Sequence, residues 1–161
     1  MKRASVFLIA LLILAMILPL AKAEESPGPL WVKSYGGSGD DVAYAVVVAD
    51  NGDIIVAGIT KSFSAGKKDV WVFRLDKNGN VKWQKTYSGS DYDIATSVAI
   101  ALNGDIIVAG YYGARDLFGS EANVWVLRLD ENGNVNWQKT YGGSKNDYAN
   151  SIAIAPNGDV F

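Results

Sequence analysis

Three short loops carry the acids best placed for chemistry. They read GGSGDD (36–41), SGSDYD (88–93) and GGSKND (142–147), so an aspartate closes each one at Asp41, Asp93 and Asp147. Asp40 and Asp91 add a second acid in two of them. A ring of such carboxylates is what a hard, oxygen-seeking cation such as calcium would take as ligands. The competing role is local: an aspartate beside a Gly-Ser turn accepts backbone N–H bonds from its own loop. Recurrence in every loop favours the local role. No metal or cofactor is therefore assigned, and the five aspartates remain weak candidates for calcium.

A second group of residues breaks the pattern around it. The stretch YYGARDLFGSEA (111–122) brings together Tyr111, Tyr112, Arg115, Asp116 and Phe118, with Glu121 close behind. Aromatic faces beside charged groups suit a sugar ring or a protein loop. The competing reading is a variable loop whose aromatics pack on their own sheet. The matching stretch elsewhere is KSFSAGKK (61–68). The chain has no histidine and no cysteine, which excludes Ser-His-Asp and Cys-His mechanisms within it. Asp76–Asn80 (DKNGN) lacks the spacing of a calcium loop, and Gly36–Gly39 precedes no helix, so it is not a dinucleotide fingerprint.

The elements that hold these residues are repeated. VWVFRLDKNGNVKWQKTY (70–87) returns as VWVLRLDENGNVNWQKTY (124–141), and NGDIIVAG (51–58) returns unchanged at 103–110. Trp31, Trp83 and Trp137 are spaced by 52 and 54 residues. A fixed period in this range marks a solenoid, propeller or array. Each unit divides into four short strands rich in Val, Ile, Trp and Tyr. In the first copy these are expected at 45–49, 53–60, 70–76 and 81–87. Asn-Gly between strands one and two, and again between three and four, signals tight hairpins. Small residues alternate in the first strand, the second is nearly all apolar, and the fourth has one wet face. A sheet crowded at one edge and solvated at the other is expected to be a propeller blade.

Leu75-Asp76-x-x-Gly79-x-x-x-Trp83 resembles the blade signature of quinoprotein-type β-propellers, one residue tighter in its turn. The longer phrase WQKTYGGS…NGDIIVAG…VWV-x-RLD is similar to repeats of exported bacterial and archaeal β-propeller proteins across residues 31–161. The resemblance implies an all-β fold of four-stranded antiparallel blades, about two and a half repeats in all. These are a leading strand at 31–35, blade one at 41–87, blade two at 93–141 and a partial blade three at 147–161. A closed ring of four such units needs roughly 212 residues. An incomplete propeller is thus expected, a truncated part of a longer repeat protein, with self-association through open blade edges as the alternative. In such a blade the long, variable loops share one face, which is where a ligand is expected.

The first 23 residues have a different character. A basic head (Lys2, Arg3), an apolar run and Ala21-Lys22-Ala23 read as a signal peptide cut between Ala23 and Glu24, followed by a linker at 24–30. Removing Lys2, Arg3 and Lys22 from 15 basic residues leaves 12 against 17 acids, a net of −5. That balance argues against nucleic acid as a partner. The expectation is a secreted or cell-surface, non-catalytic binding or surface-interaction module with a protein or glycan ligand, free of the membrane after cleavage. The alternative is a fragment of an exported propeller enzyme, quinoprotein-like or carbohydrate-active.

Overall fold

A computed structural model of the chain describes residues 31–64, 66–89, 91–115 and 121–161. The expected signal peptide (1–23) and linker (24–30), and Asp116 and Phe118 of the variable loop, lie outside the described residues. The described chain is all-β, with eight strands in two four-stranded antiparallel sheets and no helix. The first sheet runs β1 (Asp41–Val48), β2 (Ile54–Thr60), β3 (Asp69–Leu75) and β4 (Val81–Tyr87) in chain order. The second repeats that order as β5 (Tyr92–Ile100), β6 (Ile106–Ala114), β7 (Asn123–Leu129) and β8 (Val135–Tyr141).

The Asn-Gly hairpins form, but with three-residue loops. Only the glycines take the left-handed conformation, at φ of 83° for Gly52 and 74° for Gly79. Gly52 N–H donates to Ala49 O, and Ala49 N–H donates to Asp53 O, each at 2.8 Å. That is a type I turn closed by a left-handed glycine, a geometry that asks nothing unusual of the asparagine. In the β3–β4 turn the Asp76 carboxylate accepts from Asn78 N–H and Asn80 N–H, both at 2.8 Å, which fixes the loop from inside.

Each sheet has two distinct faces, because neighbouring residues of a strand point opposite ways. In the first sheet Ile55 and Ala57 of β2 share a face with Val70 and Val72 of β3, and with Trp83 and Tyr87 of β4. That face packs on Val108, Leu127, Leu129 and Trp125 of the second sheet to form the main core. The opposite face of the first sheet carries Trp71, Phe73 and Leu75, covered by Trp31 and Tyr35. Residues 31–35, expected as a leading strand, join neither sheet and are held through their side chains. Residues 151–161 contribute one isolated bridge, Ile154 with Val160.

The close approach of β1 to β2 depends on Gly58, and that of β5 to β6 on Gly110. A Cβ at Gly58 would lie 2.0 Å from Val42 O, and one at Gly110 would lie 1.8 Å from Ile94 O. Both glycines sit beside an irregularity in register, where the first strand of each sheet bends. The bend lets β1 start at Asp41, four residues before the expected start, and so ties the acidic loop into the sheet.

Candidate functional site

The acidic loops resolve into local structure. Gly37 N–H donates to Asp41 at 2.8 Å, Gly89 N–H to Asp93 at 2.5 Å and Gly143 N–H to Asp147 at 2.9 Å, the same four-residue turn each time. Asp40 pairs with Lys68 at 3.3 Å and Asp91 with Lys67 at 2.7 Å. Among the described residues no three acidic groups converge as a cation would require.

Two of these aspartates nevertheless differ electrostatically. Burial pushes the Asp41 carboxyl up. Hydrogen bonds outweigh it and hold the group well below the usual carboxylate range: the Ser62 and Thr60 hydroxyls, both at 2.5 Å, and the Gly37 and Ser62 amides. In the second copy Tyr112 and Ala114 stand at the positions of Thr60 and Ser62. Asp93 is fully buried, and among the described residues its carboxylate accepts from the Gly89 and Gly113 amides. Its pKa is raised, chiefly by burial, with the charges of Asp69 and Asp91 adding to the effect.

Within the aromatic and charged stretch, β6 separates its first two residues. Tyr111 and Tyr112 point to opposite faces of β6. The Tyr111 ring meets Tyr148 edge-on at 5.2 Å, whereas Tyr112 lies 5.3 Å from Trp125. Arg115 is exposed and pairs with Glu121 at 2.8 Å. Tyr112 is wedged into the junction between the sheets, where a Cβ at Gly89 would lie 2.0 Å from its ring.

What the structure does assemble is a pair of equivalent clefts. One, of about 320 Å³, is lined by Tyr112 and Trp125 with Gln138, Lys139 and Thr140. The other, of about 300 Å³, is lined by Phe63 and Trp71 with Gln84, Lys85 and Thr86. Each joins a tilted aromatic pair to a Gln-Lys-Thr run on the outer strand. The Phe63 and Trp71 rings lie 5.6 Å apart. Trp71 is 3% exposed, and its indole N–H meets no acceptor among the described residues. A buried donor left without a partner is costly, and an entering oxygen would satisfy it. A larger cleft of about 630 Å³ opens between the sheets near the Asn-Gly turns, lined by Ile55, Arg74 and Ile100 among others. Its buried charge is already matched, since Arg74 donates to Asp53 at 2.8 Å and to Glu131 O at 2.9 Å.

The tryptophans of the clefts recur in the repeat and read in the sequence as core, a reading that conceals the clefts. The usable signal was the wet face of the fourth strand, Gln84 and Thr86, directly beside Phe73 and Trp71 in the register.

No family model matches the chain. The regulatory protein FlaEY of Caulobacter vibrioides is 23% identical over 155 aligned residues, covering 83% of this chain. The match spans 16% of the length of that relative. Among the described residues no helix is long and apolar enough to cross a membrane.

Proposed function

We propose that the chain is an exported, non-catalytic binding module built of β-propeller blades, which takes glycan rings in the aromatic clefts beside the outer strand of each unit. The observation that carries this reading is the repeated cleft: an aromatic pair and a Gln-Lys-Thr wall, found twice, with an indole donor waiting for an oxygen in one copy. Sugars present apolar ring faces and many hydroxyls at once, and this mixture of surfaces meets both needs. The blade reading rests on the two four-stranded meanders of the same strand order, packed face to face, and on the resemblance of the repeat. The presence of similar sequence within a small share of a much longer regulatory protein is in keeping with a modular binding unit. Export rests on the first 23 residues.

The test is a tryptophan-fluorescence titration with a panel of neutral oligosaccharides, followed by calorimetry on any hit. Saturable binding that weakens about tenfold in Phe63→Ala and Gln138→Ala, at unchanged melting temperature, is the expected result. Flat titrations across the panel would overturn the glycan assignment. Sequencing the N-terminus of secreted protein is expected to begin at Glu24; intact Met1 in a membrane fraction would overturn export.

A further inference from the structure

The two sheets are locked by three side chains of one strand, and the same lock appears twice. Trp83 Nε1 donates to Glu131 O at 3.0 Å, Tyr87 Oη to Gly133 O at 2.7 Å, and Lys85 Nζ to Asn134 Oδ1 at 2.7 Å. Ahead of the first sheet, Trp31 Nε1 donates to Lys77 O at 3.0 Å, Tyr35 Oη to Gly79 O at 2.8 Å, and Lys33 Nζ to Asn80 Oδ1 at 2.8 Å. Each lock grips an Asp-x-Asn-Gly-Asn hairpin at its second, fourth and fifth residues. The glycine is needed twice over: for its left-handed turn, and because a Cβ at Gly79 would lie 2.9 Å from the Trp31 ring.

A third set of the same side chains stands on β8 as Trp137, Lys139 and Tyr141. Among the described residues no hairpin covers it. Residues 147–152 turn instead onto the second sheet's other strands, with Thr96 Oγ1 donating to Ala149 O at 2.6 Å and Ile152 N–H to Ser97 Oγ at 3.2 Å. Tyr141 is 53% exposed, against 9% for Tyr87 in the closed lock. Lys139 folds back over the Trp137 ring at 5.6 Å. The residues of β7 that share this face are also less buried than their counterparts in β3.

We infer that the β8 triad docks on the Asp76–Asn80 hairpin of a second copy of this chain, displacing that copy's own residues 31–35. The hairpin chemistry is the one that this strand type grips twice within the chain. The resident occupant is the weaker competitor, because residues 31–35 belong to no sheet, whereas β8 brings a whole sheet face with it. Arg128 supplies one further contact. Its counterpart Arg74 reaches Glu131 O alongside Trp83, and a carbonyl has two lone pairs, so a docked Arg128 can join Trp137 on Lys77 O. Surface and hairpin are different patches, so the contact is head-to-tail and propagates into a ring or a filament. The inference depends on the packing of the sheets alone and stands apart from the glycan reading.

The experiment is sedimentation and light scattering of the full chain, expressed from Met1 and purified as the host processes it, over a range of concentrations. Assembly beyond the monomer is expected. Trp137→Ala with Tyr141→Ala, both on the open face, is expected to weaken association about thirtyfold or more while leaving the monomer's melt unchanged. Tyr35→Phe, which loosens the resident segment by one bond, is expected to strengthen association. A wild-type monomer at every concentration would overturn the inference, as would an oligomer indifferent to the β8 changes or weakened by Tyr35→Phe.

Discussion

Asp53 and Asp105 occupy the same place in the two repeats but not the same surroundings. Asp53 accepts from Arg74 and from Lys82, both at 2.8 Å, and the Arg74 side chain is 11% exposed. Asp105 accepts from Arg128 at 2.6 Å, but that arginine's side chain is 30% exposed and Asn136 stands where Lys82 would be. Asp53→Ala is expected to cost about 3–5 kcal/mol, because it strands a buried guanidinium. Asp105→Ala is expected to cost about 1 kcal/mol, since water can reach the partner. Urea denaturation compares them, and equal costs would contradict the burial argument. Asp41 and Asp93 make a second contrasting pair, with opposite pH signatures. Asp41 is depressed in the fold, so its contribution is present above the ordinary carboxylate value and lost as pH falls through its lower folded value. Asp93 is raised, so the folded state holds its proton longer than the unfolded chain. Stability therefore falls as pH rises from about 4 through the raised value. Melting curves against pH for Asp41→Asn and Asp93→Asn, each subtracted from wild type, are expected to slope in opposite directions. The loop pattern made the N–H bonding of both acids readable in the sequence. Their divergence lay in positions 60, 62, 112 and 114, which only the fold brings beside them.

At the scale of the strands, apolar alternation and Asn-Gly signals located all eight, since each pattern follows from local geometry. What they left out is where the backbones touch. Gly58 and Gly110 read only as members of a repeated phrase, whereas in the fold each admits a carbonyl oxygen of the neighbouring strand to within 2.0 Å of where a Cβ would be. Gly110→Ala is expected to destabilise by about 3 kcal/mol by forcing β5 away from β6. Hydrogen exchange is expected to show the loss first at the amides of β5 and β6. Retained protection there would mean that the bend in β5 can absorb the methyl group. The separation of Tyr111 from Tyr112 has a related reason. A strand turns consecutive side chains to opposite faces, so Tyr111 and Tyr112, adjacent in sequence, serve different neighbours.

In the whole molecule the two sheets are joined by bonds that the period of the repeat implied but could not locate. Trp83, Lys85, Tyr87 and Arg74 all reach the Asp130–Asn134 hairpin, and the apolar face beneath them buries Val72, Val108 and Leu127. Stacked units of this kind are stabilised largely by the contact between neighbours, so breaking that contact uncouples them before either unit melts. Wild type is expected to unfold in a single calorimetric transition at protein concentrations low enough to keep it monomeric. Trp83→Ala combined with Tyr87→Phe removes an indole from the interface, about 3–5 kcal/mol, and a buried phenol bond, about 1 kcal/mol. That loss is large against the stability of a domain this size, so the variant is expected to melt in two steps. The second sheet then unfolds separately from the first, because the hairpin that held it no longer has its grip. Trp137→Ala, the same residue type on the uncovered strand, is expected to leave the single transition intact under the same conditions. One cooperative transition in the double variant would mean that the apolar face alone couples the sheets, and that the hydrogen-bonded lock fixes their register without holding them together.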